Sequence, residues 1–217
     1  FRLEDGRYIA AQYNYPVHVA DENGVFQDID NSLAAGAGGV YANPSARIKF
    51  SKKITGNESL FTLKDGSTKL TMSLMGAKKG VAGKGTNGSD AEAETELQKM
   101  LNLENLSSKV MYGDILEGVD LEYLVQSLNV KENIIVKNRA DGYEYSFLLT
   151  LEGLYAEENE DGSISLYDSE SDENKYVIPA PYMYDANEVY WLSRIIYAES
   201  GAEPFRGKIA VGNVVLN

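Results

Sequence analysis

Apolar and polar side chains alternate along much of residues 1–185, in short runs separated by turn residues. Residues 143–149, Tyr-Glu-Tyr-Ser-Phe-Leu-Leu, are a representative run. A period of two places successive side chains on opposite faces of a β-strand. Turn pairs such as Asp65-Gly66 and Asp161-Gly162 separate the runs, as in antiparallel hairpins. The pattern predicts a mainly-β fold, either an antiparallel sandwich or a twisted open sheet.

A segment rich in Gly and Lys interrupts this pattern at residues 76–96. Its Gly83-Lys84-Gly85 spacing is a weak match to a phosphate-binding loop. No βαβ pattern surrounds it, and no Gly-Lys-Ser/Thr ending opens a helix. We therefore predict a flexible loop at 76–96.

The periodicity changes to that of a helix after Pro179-Ala180-Pro181. Asn187 suits an N-cap, and Glu203-Pro204 suits the start of a second helix. The sequence thus predicts a β-rich domain at 1–185 and a short C-terminal helical segment of two helices at 186–217. Because the second helix has an apolar face without a predicted partner, a homo-oligomer formed through these helices is left open.

The charge balance restricts the expected partners. The chain has 33 acidic and 20 basic residues, a formal net charge of −13. This charge argues against nucleic acid as a partner, since binding needs Lys and Arg to neutralise phosphates. No apolar run reaches the length of a membrane helix, so no membrane insertion is expected. The chain has no cysteine, which excludes disulfides, thiol nucleophiles and Cys-ligated zinc.

Metal sites and cofactors are not expected either. His18 is the sole histidine. It could act as a ligand or base, but no second ligand pattern accompanies it, which favours an ordinary strand residue. The acidic segments 157–161 and 168–174 could offer oxygen ligands to calcium, but neither has EF-hand spacing. We expect both to be solvated turns.

Several motifs of the β-rich region resemble the front of wall-associated secreted proteins of the WapA and RHS-repeat type. They include Asp5-Gly6-Arg7-Tyr8, Pro16-Val17-His18, Val119-Asp120-Leu121-Glu122-Tyr123 and Ile178-Pro179-Ala180-Pro181-Tyr182-Met183. The order and spacing of these motifs agree with that family. The resemblance implies a secreted scaffold, located outside the cell or at the cell wall, that precedes or displays another domain. It implies no catalytic residue.

A second resemblance covers residues 187–217. The run from Tyr190 to Pro204, Tyr-Trp-Leu-Ser-Arg-Ile-Ile-Tyr-Ala-Glu-Ser-Gly-Ala-Glu-Pro, resembles the start of a SleB-type cell-wall hydrolase domain, and Gly207 to Asn217 extends the match. This resemblance implies cleavage of peptidoglycan by a lytic-transglycosylase mechanism, with Glu199 at the catalytic glutamate. The rest of such a domain would lie beyond Asn217, so much of the substrate groove would be missing.

The chemistry of Glu199 fits this role; the alternative is that Glu199 and Glu203 are ordinary solvated residues at a helix end. Glycosidic cleavage needs an acid that keeps its proton near neutral pH. The end of a predicted helix and the neighbouring Glu203 both disfavour a negative charge at Glu199. Trp191, Tyr197 and Glu203 are the candidate substrate-binding residues, the two aromatic rings by stacking on sugars. The alternative is that the rings pack the helix onto the β-domain.

Three functions follow, each with peptidoglycan or another cell-wall glycan as the partner. The leading prediction is a cell-wall-associated module carrying the first part of a peptidoglycan hydrolase. The second is an active hydrolase with Glu199 as general acid. The third is a carbohydrate-binding module that targets the enzyme to the wall. A row of exposed tyrosines on one sheet face would favour the third function, and tyrosines buried in the core would oppose it.

Overall fold

A computed structural model describes residues 6–8, 15–20, 23–45, 47–55, 59–88, 106–139 and 143–184. Every regular element in these ranges is a β-strand, and no helix there is long and apolar enough to cross a membrane. The strands are β1 (His18–Ala20), β2 (Phe26–Asp28), β3 (Ala34–Ala35), β4 (Val40–Ala42), β5 (Ile48–Ser51), β6 (Phe61–Asp65), β7 (Thr68–Leu74), β8 (Gly83–Asn87), β9 (Ser107–Leu116), β10 (Val119–Gln126), β11 (Asn129–Val136), β12 (Phe147–Glu152), β13 (Leu154–Glu158), β14 (Ile164–Asp168) and β15 (Asn174–Ile178). The mainly-β prediction is confirmed. The predicted C-terminal helices lie outside the described residues.

The chain divides into two compact units. Unit 1 comprises Phe1–Tyr155 with Asp168–Asp172, and unit 2 comprises Ala156–Tyr167 with Glu173–Asn217. Within unit 1, β1 pairs with β2, and two larger antiparallel sheets have the strand orders β11-β10-β9-β8 and β12-β7-β6-β5-β4-β3. Unit 2 contains most of a three-stranded sheet in the order β13-β14-β15. The predicted boundary at residue 185 stays a prediction.

The two large sheets of unit 1 pack face to face. Along β10 every second side chain points inward and is at most 6% exposed, namely Val119, Leu121, Tyr123 and Val125. The Tyr123 ring lies 5.3 Å from the Phe50 ring and 5.9 Å from the Phe61 ring, which belong to the opposite sheet. Such interdigitation of two inner faces defines a sandwich. The structure therefore selects the sandwich over the open sheet.

Strand β8 lies inside the segment 76–96 that we predicted to be a flexible loop. Over Gly83–Asn87 that prediction was wrong, while residues 89–96 lie outside the described part. β8 pairs with β9, and the amide of Gly83 donates to the Lys52 carbonyl at 2.8 Å. The glycine serves close packing here rather than flexibility, because a Cβ on Gly83 would lie 2.8 Å from the Tyr112 ring.

The hairpin β1–β2 is tied to the four-stranded sheet by Asn31. This side chain is 3% exposed, and its Nδ2 donates to the carbonyls of Leu106 at 2.9 Å and Ser127 at 2.8 Å. Ser127 Oγ in turn donates to the Pro16 carbonyl at 2.6 Å. Two long-range hydrogen bonds from one amide fix the position of the chain as it leaves the hairpin.

We expect Asn31→Asp to lower the free energy of unfolding by about 3 kcal/mol, because a buried carboxylate would face two carbonyl oxygens that it cannot serve as a donor. Urea denaturation followed by circular dichroism measures this change. Asn129→Asp is the matched control, since Asn129 is exposed. If both variants lose less than about 0.5 kcal/mol, as expected for surface sites, Asn31 does not anchor the hairpin.

Candidate functional site

A shallow cleft of about 400 Å³ lies at one end of the four-stranded sheet, beside the β9–β10 turn. Gly118 in this turn has a φ of +67°, and Asn138 Nδ2 lies 3.1 Å from the place a Cβ would occupy. The glycine therefore permits both the turn and the close approach of Asn138. The lining residues are Leu116, Glu117, Gly118, Val119, Val136, Asn138, Arg139, Tyr143, Glu144 and Tyr145. This mixture of acidic, basic, aromatic and apolar side chains selects no single ligand class.

Lys137 lies next to the cleft and joins two aspartates. Its Nζ lies 2.8 Å from Asp114 Oδ1 and 2.6 Å from Asp120 Oδ1. Desolvation would raise the pKa of Asp120, but the Lys137 ammonium and the Asp114 amide, 2.6 Å away, lower it overall. Hydrogen bonds from Lys137 to both carboxylates raise the pKa of the lysine. One ammonium thus bridges two carboxylates and offsets one of their two charges, and Asp114 has a positive φ of 51°.

Removing the Lys137 charge is expected to raise the pKa of Asp120 to its ordinary value or above, because Lys137→Met leaves desolvation opposed by the Asp114 amide alone. Carbon-13 NMR titration of the carboxyl groups measures this shift. Asp161 is an internal control, since its low pKa comes from the hydroxyl and amide of Ser163. An unchanged Asp120 titration in the variant would exclude Lys137 as the cause.

Two buried tyrosines form the centre of the sandwich. The hydroxyl of Tyr112 donates to the Ser51 carbonyl at 2.6 Å, and burial raises the pKa of this phenol. Tyr123 is 1% exposed, and burial together with the nearby Glu132 raises its pKa well above the ordinary value. Both rings lie in the core and not on an exposed sheet face, so neither of them can stack on a sugar.

Glu132 is a perturbed acid that sequence reasoning missed. Burial raises the pKa of this carboxyl, and a hydrogen bond from Tyr123 partly offsets the increase. The signal was present in the alternation Val130-x-Glu132-x-Ile134, which places the carboxylate on the inward face of β11. A charged residue at an apolar position of an alternating strand indicates an unusual environment.

Of the candidate residues from the sequence, the structure describes His18 but not those of the C-terminal segment. Glu199, Trp191, Tyr197 and Glu203 lie outside the described residues, so their roles stay predictions. His18 is an exposed strand residue whose Nε2 lies 3.0 Å from Asp28 Oδ1 on the neighbouring strand.

The two acidic segments form local turns. Asp168 Oδ1 accepts hydrogen bonds from the amides of Glu170 at 2.9 Å and Ser171 at 3.1 Å. Asp161 Oδ1 accepts from the amide of Ser163 at 2.9 Å. In the described part of the chain, no group of three or more His, Cys, Asp or Glu side chains is arranged to hold a metal ion.

Comparison with known proteins shows similarity to three tRNA nucleases. The chain is 26% identical over 185 residues to the tRNA3(Ser)-specific nuclease WapA of Bacillus spizizenii. It is 26% identical over 186 residues to the tRNA(Glu)-specific nuclease WapA of Bacillus subtilis subsp. natto, and equally to the tRNA nuclease WapA of Bacillus subtilis strain 168. Each alignment covers 84% of this chain and 7% of the relative.

The chain thus spans about 7% of the length of the curated relatives it matches. No family model matches the chain, and no solved structure does. The similarity agrees with the WapA-type resemblance seen in the β-rich region. None of these matches supports the SleB-type resemblance of residues 187–217.

The predicted cell-wall function was wrong. The relatives are named as tRNA nucleases, which contradicts a module of a peptidoglycan hydrolase, an active wall hydrolase and a wall-glycan partner. The exclusion of nucleic acid as a partner was wrong for the same reason. The net charge of −13 belongs to these 217 residues. Because the chain matches 7% of the relative's length, its charge does not give the charge of the whole relative. The predicted secreted or cell-wall location stays a prediction.

Proposed function

We propose that this chain is the β-sandwich part of a larger protein that acts on tRNA. The observation that carries the proposal is similarity over 84% of this chain to three proteins named as tRNA nucleases. The 7% coverage of those relatives supports a role for the chain as one module among others.

The geometry of unit 1 favours a structural role for this module. The inward-facing tyrosines are engaged in packing, and Tyr112 hydrogen-bonds to a backbone carbonyl. The lysine beside the cleft is engaged with two aspartates. Cutting RNA requires a positioned base, acid or metal ion at the phosphate. We therefore infer that the sandwich is a folded platform and that the cutting chemistry belongs to another part of the larger protein.

A chimera tests this proposal. In the tRNA nuclease WapA of Bacillus subtilis strain 168, the region that matches this chain is replaced by the chain itself. We expect the chimera to cleave tRNA, as read on denaturing gels, and the purified chain alone to leave tRNA intact. As a control, the nuclease with the matching region deleted shows whether cleavage requires a module at this position.

Two outcomes would contradict the proposal. Cleavage of tRNA by the chain alone would place the cutting chemistry within these 217 residues. A chimera that is folded by circular dichroism but inactive, beside an active parent, would show that the chain does not replace the matching region of the relatives.

A further inference from the structure

Glu132 is an inward-facing carboxylate on an edge strand of the sandwich. In the described residues, β11 pairs with β10 alone and forms the edge of the four-stranded sheet. Residues Val130, Glu132, Ile134 and Val136 of β11 lie opposite the four buried side chains Val125, Tyr123, Leu121 and Val119 of β10. Glu132 is thus the one acidic member of an otherwise apolar row.

Apart from one hydrogen bond from Tyr123, the described surroundings of Glu132 offer little that stabilises a negative charge. Its Oε2 is shielded from solvent and has no hydrogen-bond partner among the described residues. Its cross-strand neighbour is Tyr123, and the edge of the aromatic cluster continues to Tyr112, whose ring centroid lies 6.4 Å from that of Tyr123. An ionised carboxylate loses its hydration at such a position without full compensation.

The aromatic and sulfur contacts of Tyr123 with the described part of the six-stranded sheet bring no compensating charge. The side chains that meet Tyr123 from the six-stranded sheet are Phe50, Phe61 and Met72, none of which titrates. On the opposite face of the four-stranded sheet, Glu122 lies 3.9 Å from Lys109 and accepts from Asn133 at 2.9 Å. Within the described ranges, the titratable groups that face Glu132 are Tyr123 from β10 and, behind it, Tyr112 from β9.

We propose that Glu132 and Tyr123 form a proton-dependent latch that holds β11 on the sandwich. When Glu132 carries a proton, β11 stays packed; when Glu132 is ionised, the edge strand opens more often. β11 is suited to local opening because its inward side chains are only half-buried, whereas those of β10 are fully buried. Elements with few buried contacts open at the lowest free energy.

The direction of the pH effect follows from the raised pKa of Glu132. A carboxyl that binds its proton more tightly in the folded state stabilises that state fully below the unfolded pKa of about 4.5. This contribution is lost as the pH rises through the raised folded pKa. The packed edge is thus expected to weaken towards neutral pH.

Hydrogen exchange of the β11 amides between pH 5 and pH 8 tests the latch in the full chain. After correction for intrinsic exchange rates, we expect protection to fall with rising pH by about tenfold for each unit by which the pKa is raised. Glu132→Gln should give a flat profile. Glu122→Gln is the matched control on the opposite face and should keep the wild-type profile.

Two results would overturn the proposal. One is a β11 profile in Glu132→Gln that retains the wild-type pH dependence. The other is a carbon-13 titration of wild-type Glu132 with a pKa at or below the ordinary value. The second measurement needs no variant, so it decides the question even if Glu132→Gln fails to fold.

Discussion

Tyr123→Ala is expected to lower the free energy of unfolding of the sandwich by about 4 kcal/mol, within the range measured for deleting a large buried side chain. The Tyr123 ring is 1% exposed and contacts the Phe50 and Phe61 rings across the two sheets. Its removal leaves a cavity that surrounding strands cannot fill without breaking their hydrogen bonds. Urea denaturation followed by far-ultraviolet circular dichroism measures the loss.

Two control variants separate the ring from its hydroxyl and from general effects of alanine. Tyr123→Phe keeps the ring and loses the hydroxyl, with its hydrogen bond to Glu132 and its 4.0 Å contact with Met72 Sδ. We expect a smaller change, on the order of 1 kcal/mol, the usual net loss for one buried hydrogen bond. Phe26→Ala removes a ring that is 74% exposed on β2 and should be nearly neutral. Equal losses for Tyr123→Ala and Phe26→Ala would mean that Tyr123 is not a central core residue.

The second large effect is expected from Gly83→Ala, which should cost about 3 kcal/mol or more. The new Cβ would lie 2.8 Å from the Tyr112 ring and 2.9 Å from the Ser51 carbonyl oxygen. Retreat of the ring is opposed by the 2.6 Å hydrogen bond from its hydroxyl to the same carbonyl. β8 must therefore shift, which weakens the hydrogen bond from the Gly83 amide to the Lys52 carbonyl.

Gly85→Ala is the matched control on the same strand. There the contacts are at 3.2 Å to the ring of Tyr41, which is only half-buried and can shift. We expect its cost to be about 1 kcal/mol or less. The comparison is read as the difference in urea midpoint between the two variants. A Gly83→Ala protein as stable as Gly85→Ala would show that the close approach of Tyr112 is not a constraint.

Glu132 shows how much of the candidate site could be predicted from the sequence. The alternation along β11 places Glu132 on the same face as Val130 and Ile134, so its inward position followed from the pattern. The pairing of Glu132 with Tyr123 could not be predicted, because the register of β10 against β11 is set by the tertiary structure. The Lys137 cluster was unpredicted for the same reason. The irregular β9–β10 hairpin brings Asp114 and Asp120 together, and the pairing of β11 with β10 adds Lys137.

The functional prediction failed for a different physical reason. Charge and composition report on the residues that are present, and a module can belong to a protein whose chemistry lies in other segments. The first inference was the resemblance of the β-rich region to WapA-type proteins. The second inference took hydrolase chemistry from residues 187–217 and excluded nucleic acid on the net charge. Similarity to tRNA nucleases contradicted the second inference and agreed with the first.

The sequence by itself determined the strands, because alternation of apolar and polar side chains is local and acts within each run. β10 and the β12 segment both follow this pattern, and a glycine of positive φ lies just before β10 and just after β12. Only the tertiary structure decided which strands pair, as with β7 and β12, since backbone hydrogen bonds are alike for every residue. The tertiary structure also decided that Gly83-Lys84-Gly85 belongs to a strand. Glycine has no side chain and so shows no apolar–polar period, and its place in β8 depends on the tyrosines that pack against it.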